Sequence, residues 1–376
     1  GREDPRAYPV TPWTRSRLRL RRARRRVRDR IPYESGNYPY VTARVKAKKA
    51  GLYPADVYPR LLQMEIPQIA RFLGEGQYRE EVLAHGAKMR GVDLVERATA
   101  DHLASVFRQV IGMSEGRLRA MVSTYLDRWD VANIKTILRG KLYGASAADI
   151  LEDVVAAGSL DAEFLQSLVE METVGEVFSA LEGTIYEEAR AQMGEPFDLA
   201  KGLAAYEDAL AHVYYRHLLA SIQPRTDASR FFLEFVRKEI DILNLKTLLR
   251  VWKTKASFEH PIFLDGGLEL PPDELRGMVG LDANALLGAL ARTSLYEGAG
   301  AAIREVQEKG VAAVERSLEK LHLKEASRYS HLHPLSMLPV LDFLASKTRE
   351  VENLRIIARG KEHGIPPEAI RELLVI

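Results

Sequence analysis

The chain is 376 residues long, 46% hydrophobic and 28% charged, the balance of a water-soluble folded protein with room for two or three cores. It has no cysteine, which excludes disulfides, thiolate zinc sites, iron–sulfur clusters and a thiol nucleophile and fits a reducing cytoplasm. No apolar run reaches the roughly 18 residues that a bilayer-spanning helix needs, and the net charge of +2 hides a split: residues 1–36 carry twelve Arg against four acidic residues, a balance of +8, which leaves −6 for the remainder.

Ten of those arginines lie between Arg15 and Arg30. Such a run binds phosphates, of nucleic acid or of anionic lipid. It lacks the apolar core of a secretory signal. Pro5, Pro9, Pro12 and Pro32, with Gly36 and Asn37, favour the other reading, a disordered extension ahead of a fold that begins near Tyr38.

From there on the periodicity is helical and strand signals are almost absent. Leu61, Leu62, Ile66, Ile69, Phe72 and Leu73 recur at spacings of three and four, as do Phe164, Leu165, Leu168, Met171, Val174, Val177, Phe178 and Leu181. Breaks fall at Gly74-Glu-Gly76, Gly194-Glu-Pro196, Pro261 to Gly267 and Pro271-Pro272. A stretch around Phe258 to Asp273 reads as an insertion that lengthens one loop. The predicted fold class is all-α.

One pattern occurs three times: Asp130-Val-Ala-Asn133-Ile-Lys135-Thr-Ile-Leu-Arg139, Asp241-Ile-Leu-Asn244-Leu-Lys246-Thr-Leu-Leu-Arg250 and Glu350-Val-Glu-Asn353-Leu-Arg355-Ile-Ile-Ala-Arg359. The asparagines are 111 and 109 residues apart, too far for a solenoid repeat and about the size of a small domain. Glu96, Glu207 and Glu315, each opening a helical segment, follow at intervals of 111 and 108, and Leu73 and Tyr78 match Leu181 and Tyr186 at an offset of 108. The third segment matches there only loosely, around Leu290 to Tyr296. The chain thus divides into an Arg-rich extension, residues 1–36, and three helical units, residues 37–147, 148–257 and 258–376, in a body of approximate threefold symmetry.

On a helix advancing 100° per residue, Ile134, Ile137 and Leu138 form an apolar stripe bordered by Asp130 and Asn133. Lys135 and Arg139 turn away, about 140° and about 180° from the acid. The other copies share this layout. An acid and an amide beside a core must be hydrogen-bonded or cost about 1–3 kcal/mol each. Bonding to a neighbouring helix end within the same unit is the expected solution, which makes Asp130, Asn133, Asp241, Asn244, Glu350 and Asn353 a structural signature. Lys135, Arg139, Lys246, Arg250, Arg355 and Arg359 are candidates for contact with a partner or between units, or for a solvated face.

Catalytic constellations are missing. The nine histidines include no helical metal pair around a glutamate; His331 and His333, flanking one leucine before Pro334, are a weak metal signal. No phosphate-cradling loop ends in Lys-Ser or Lys-Thr, and Gly298-Ala-Gly300 fails the dinucleotide pattern. No catalytic residue, cofactor or metal site is expected.

The start Tyr38-Pro-Tyr-Val-Thr-Ala-Arg44, the run Arg128-Trp-Asp130 through Gly140-Lys141, and the close Arg349-Glu350 through Gly360-Lys361 resemble the C-subunit of the A/V-type ATP synthases, counterpart of the d-subunit of the V-ATPases. The resemblance spans residues 38–376 and leaves 1–36 without a counterpart. It implies three similar helical domains arranged as a funnel about a pseudo-threefold axis. It further implies a non-catalytic socket of the central rotor, peripheral on the cytoplasmic face of the cell membrane. Its partners would be the membrane proteolipid ring, the central-stalk subunits and the other synthase subunits, with anionic lipid contact through residues 15–30 and no nucleic acid. The alternatives are a helical nucleic-acid-binding protein using the Arg-rich arm, a carboxylate-site enzyme and a helical scaffold outside any ATPase.

Overall fold

The computed structural model describes residues 36–255, 257, 260, 262–304 and 306–376. The Arg-rich stretch between Arg15 and Arg30 lies outside them. Among the described residues every regular element is a helix, as the periodicity predicts. The chain opens with α1 (Tyr38–Ala50), α2 (Val57–Gln63), α3 (Ile66–Glu75) and α4 (Arg79–His85). A long helix α5 (Gly91–Met113) turns at Ser114 into α6 (Gly116–Leu126) and α7 (Arg128–Leu142). Next come α8 (Ala147–Asp153), α9 (Ala162–Glu170), α10 (Val174–Leu181) and α11 (Glu187–Ala191). A second long pair follows, α12 (Leu199–Ser221) and α13 (Asp227–Thr254). Four shorter helices, α14 (Pro272–Met278), α15 (Ala283–Leu290), α16 (Ser294–Arg304) and α17 (Val306–Lys309), precede a third pair, α18 (Val311–Leu332) and α19 (Leu338–Glu362). The short α20 (Pro367–Leu373) ends the helices.

Local chemistry sets these limits. Thr226 and Ser229 form a capping box that starts α13, and Asp161 accepts from Phe164 N to start α9. Gly144 and Gly364, both at positive φ, follow the ends of α7 and α19, where a left-handed residue terminates a helix at least cost. The helix corresponding to α13 is interrupted once, at Asp127: Asp130 N reaches Asp127 O three residues back at 3.1 Å, a tightened turn that divides α6 from α7.

The packing order is cyclic. α12 packs on α6 and α7, α18 on α13, and α5 on α19, so the second long helix of each pair meets the first long helix of the next. α19 also packs on α18 and α1, and is buried from Leu338 through Leu344 and again at Val351, Leu354, Ile357 and Ala358. A helix with apolar residues around most of its circumference belongs at the centre. One core draws on residues from Val41 to Leu374, and a second, from Ile242 to Leu318, fills the space between the C-terminal half of α13, the short helices α14 to α17 and the first half of α18.

Two expectations need adjusting. The stretch 258–273 is no insertion: Asn244 finds its partner 20 residues downstream, against 22 for Asn133, so the loop is of ordinary length and, among the described residues, shows no counterpart of α8. Glu96, Glu207 and Glu315 do not open their helices. These begin at Gly91, Leu199 and Val311, and each glutamate lies one to two turns inside.

Candidate functional site

The three asparagines act identically. Asn133 Nδ2 donates to Val155 O at 2.8 Å and its Oδ1 accepts from Val155 N at 2.9 Å. Asn244 grips Leu264 in the same way at 2.9 and 2.7 Å, and Asn353 grips Val375 at 2.8 and 3.1 Å. A side-chain amide presents one donor and one acceptor, so it can satisfy both backbone groups of one extended residue as a neighbouring strand would. All three asparagines are buried.

The acids fasten the next stretch of chain. Asp130 accepts from Ser159 N at 3.0 Å, Leu160 N at 3.1 Å and the Tyr186 hydroxyl at 3.0 Å. Asp241 accepts from Leu268 N, Glu269 N and Leu270 N at 2.9 to 3.0 Å. Glu350 turns instead to the segment between α1 and α4. It accepts from Tyr53 N at 2.6 Å, the Tyr78 hydroxyl at 2.6 Å, Gln77 Nε2 at 2.9 Å and Lys347 Nζ at 2.7 Å. Tyr78 and Tyr186, matched by the repeat, therefore serve matching acids, whereas the Tyr296 hydroxyl accepts from Arg304 instead. Val155 and Val375 lie just past the ends of α8 and α20, Leu264 and most partners of Asp130 and Asp241 lie in the loops ahead of α9 and α14, and Tyr53, Gln77 and Tyr78, which serve Glu350, lie between α1 and α4.

Burial and the neighbouring Asp127 carboxylate push the Asp130 carboxyl up to about 8, against the lowering effect of its three donors. Burial likewise raises Asp241. Space for the acids comes from glycine: a Cβ on Gly158 would lie 2.0 Å from Asp130 Oδ1, and one on Gly267 would lie 2.2 Å from Asp241 Oδ1.

The six basic candidates all face carboxylates. Arg139 Nε donates to Glu207 at 2.5 Å, and Arg250 Nε to Glu315 at 2.7 Å. Arg359 donates through Nε and Nη2 to Glu96, the latter at 2.8 Å. Each arginine on a second long helix thus holds the glutamate on the first long helix of the next pair, and the last one, Arg359, returns to the first pair. The glutamates are largely buried and the arginines half-exposed. Lys246 pairs with Glu319 at 2.8 Å, Arg355 with Asp153 at 3.0 Å, and half-buried Lys135 lies in the field of Glu207 and Asp208. Burial lowers the Lys135 pKa in spite of those acids.

Sequence reasoning missed two buried clusters. Glu239 accepts from Arg128 Nη2 at 2.8 Å, the Tyr215 hydroxyl at 2.5 Å and the Tyr125 hydroxyl at 3.2 Å, with His322 Nε2 at 3.5 Å. Arg128 also stacks on the Tyr125 ring, 3.8 Å from its centre. Burial alone would raise the Glu239 carboxyl, but Arg128, His322 and Tyr215 overcome it and hold the group well below the usual carboxylate range. Arg128 and Glu239 each stand two residues before the signature acid. Opposite charges at matched positions were the available signal. Lys347, fully buried against Glu350, Tyr78 and Gln77, forms the second cluster, and there burial lowers the lysine pKa.

A cleft of about 400 Å³ opens between α10, α11 and α12, lined by Phe178, Glu182, Arg190, Glu195 and Tyr206 among others. Arg190 fills part of it by pairing with Glu195 and lying over Phe178 and Phe197. Among the described residues no group of three or more His, Asp or Glu is placed to hold a metal ion, and His331 bonds Ser327 O at 2.7 Å while His333 stacks on Phe231. No described helix is long and apolar enough to cross a membrane.

A family model described as ATP synthase (C/AC39) subunit matches residues 41–373. The chain belongs to this family. Within the ATP synthase (C/AC39) subunit family it is 38% identical over 345 residues to the A-type ATP synthase C-subunit of Methanococcoides burtonii, covering 91% of this chain and 95% of that protein. To the proteins of the same name from Methanosarcina acetivorans and Archaeoglobus fulgidus it is 36% and 34% identical, over 93% and 90% of this chain and 95% and 96% of theirs. The match runs from within α1 to the end of α20 and so contains every ion pair and clamp described above except the Val375 end of the Asn353 clamp. This agrees with the resemblance carried by the motifs at Tyr38, Arg128 and Arg349.

Proposed function

We propose that this member of the ATP synthase (C/AC39) subunit family is a non-catalytic socket of the central rotor in an A/V-type ATP synthase. It would couple turning of the membrane proteolipid ring to the central stalk, so that ion flow drives ATP synthesis or hydrolysis drives pumping. The observation that carries this reading is the closed circuit of contacts: α7 to α12, α13 to α18 and α19 back to α5, each marked by an Arg–Glu pair. A part that transmits torque must not shear, and a closed ring of packed helices has no free edge at which to slide.

Three helical units about a pseudo-threefold axis, with limits near 37–147, 148–257 and 258–376, account for the repeated bonds most simply. Within that scheme Asp130, Asn133, Asp241 and Asn244 fix the first two units to the segments that follow, and Glu350 ties the third unit to the first. The six basic residues are inter-unit ties, an assignment that leaves the stalk and ring contacts to other surfaces. The reading also assigns the protein to the cytoplasmic face of the cell membrane, without a span of its own.

The test is recovery of partners. Tagged protein expressed in its native host and captured from gently solubilised membranes is expected to bring down proteolipid together with stalk and catalytic-head subunits, identified by mass spectrometry. Capture without any of them would end the rotor reading.

A further inference from the structure

All three turns between the paired long helices lie at one end of the molecule, together with the start of α1. Asn37 Nδ2 donates to Met113 O at 2.8 Å and Asn37 Oδ1 accepts from Glu115 N at 3.0 Å, which joins α1 to the first turn. Arg117 Nη2 donates to Ser221 O at 3.1 Å, joining the first turn to the second. His333 stacks on Phe231, with ring centres 4.3 Å apart, and Thr42 Oγ1 donates to Pro334 O at 2.7 Å, joining the third turn to both α13 and α1. The Arg–Glu circuit lies toward the other end: Glu207 is about 20 Å along α12 from Ser221 at 1.5 Å per residue.

The turn end differs from the rest in charge, and it carries three of the large apolar side chains that lie exposed among the described residues. Its segments 36–46, 113–119, 221–231 and 328–337 hold seven Arg or Lys against two acidic residues, Glu115 and Asp227, a balance of +5. Residues 37–376 sum to −6, so everything outside this end sums to −11. Out of this basic surface project Leu332, 59% exposed, Leu335, 64% exposed, and Tyr40, 54% exposed, with Arg44, Lys46 and Arg119 also exposed. The ten arginines between Arg15 and Arg30 join the described chain at Gly36, at this same end.

We infer that the turn end docks on an anionic lipid bilayer, with Leu332 and Leu335 entering the headgroup layer and Arg44, Lys46 and Arg119 bound to lipid phosphates. Isolated leucines on a basic surface suit this partner. Burying each is worth roughly ten- to a hundred-fold in affinity, and each cation near an anionic surface about five-fold. RNA would reward the cations but not the leucines, since it is held by stacking on aromatic rings. The acidic remainder of the body is repelled by the same surface, which fixes which end faces it. This inference goes beyond the rotor reading and stands on the charge map and the exposed residues.

The test is sedimentation of the full chain with phosphatidylcholine vesicles, with and without about 30% phosphatidylglycerol, in about 0.1 M salt. The unmodified protein is expected to sediment only with the anionic vesicles and to be released by high salt. Leu332→Asp/Leu335→Asp should weaken binding at least ten-fold. Arg44→Gln/Lys46→Gln/Arg119→Gln should weaken it on the order of a hundred-fold. Ile365→Asp/Leu373→Asp, near the opposite end, should leave it unchanged, with all variants checked for native helix content. Binding that is equal with neutral vesicles, that survives both turn-end variants, or that gives way to RNA binding would overturn the inference. The vesicles contain no synthase subunits, so their failure alongside successful partner capture removes the lipid contact and leaves the rotor reading standing.

Discussion

A single asparagine on a helix does what a neighbouring strand would otherwise do, and its value depends on how far the gripped residue lies from water. Asn133 and Asn244 hold Val155 and Leu264 in mid-chain, while Asn353 holds Val375, next to the last residue of the sequence. An unpaired buried backbone group costs about 1–3 kcal/mol. Asn133→Ala, Asn244→Ala and Asn353→Ala are therefore each expected to destabilise by about 2–4 kcal/mol; denaturant midpoints of the three variants check this. The glycines give a prediction with opposite signs. Gly158→Ala drives a methyl to within 2.0 Å of Asp130 Oδ1 and must break the clamp, whereas Gly112, within α5, has nothing within 4 Å of an added Cβ. Gly112→Ala should stabilise by about 0.5–1 kcal/mol, seen as a higher melting temperature, and Gly158→Ala should lower it by several degrees. The signature residues were legible in the sequence because buried polar groups at fixed spacing stand out in an apolar stripe. Their partners were not, since backbone amides carry no sequence mark.

Helices meet helices through residues that no local pattern selects. Glu239 is where α6, α7, α12, α13 and α18 come together, through Tyr125, Arg128, Tyr215 and His322. Its folded pKa lies below the unfolded value of about 4.3, so the unfolded state binds the proton more tightly. Stability from this group is fully present above that value and is lost as the pH falls through the folded pKa. Glu239→Gln removes the dependence and leaves a buried guanidinium without its counter-ion, for about 3 kcal/mol at neutral pH. Urea midpoints of parent and variant should thus differ most at pH 7 and start to converge only below about pH 4; a gap that stays constant down into strong acid would mean that packing, not charge, is lost. The helices themselves were readable from periods of three and four residues. The interruption at Asp127 was not, because it is decided by what the chain must reach rather than by a local pattern.

At the scale of the molecule the three Arg–Glu pairs are chemically alike but topologically unequal. Arg139 and Glu207 are 68 residues apart, Arg250 and Glu315 are 65, and Arg359 and Glu96 are 263. The repeat interval of about 110 residues revealed three copies and, through Glu96, Glu207 and Glu315, half of each pair. It could not say whether copy three touches copy one, since a line of three repeats and a closed ring have the same sequence period. Only the ring brings Arg359 to Glu96. The arginines are half-exposed, so each pair is worth at most about 1 kcal/mol and is weakened by salt. Double-mutant cycles with Arg→Ala and Glu→Ala should accordingly give similar coupling energies at all three places. Their effects on motion should differ. Breaking Arg139–Glu207 leaves α7 and α12 joined by the chain that runs through α8 to α11, whereas breaking Arg359–Glu96 loosens a contact between α19 and α5, which lie at far greater separation along the chain. Amide hydrogen exchange is expected to quicken locally in Arg139→Ala and jointly along α1, α5 and the C-terminal half of α19 in Arg359→Ala. Equal and local responses in the two variants would show that the ring owes its closure to apolar packing of α19 alone, with the third ion pair adding nothing to it.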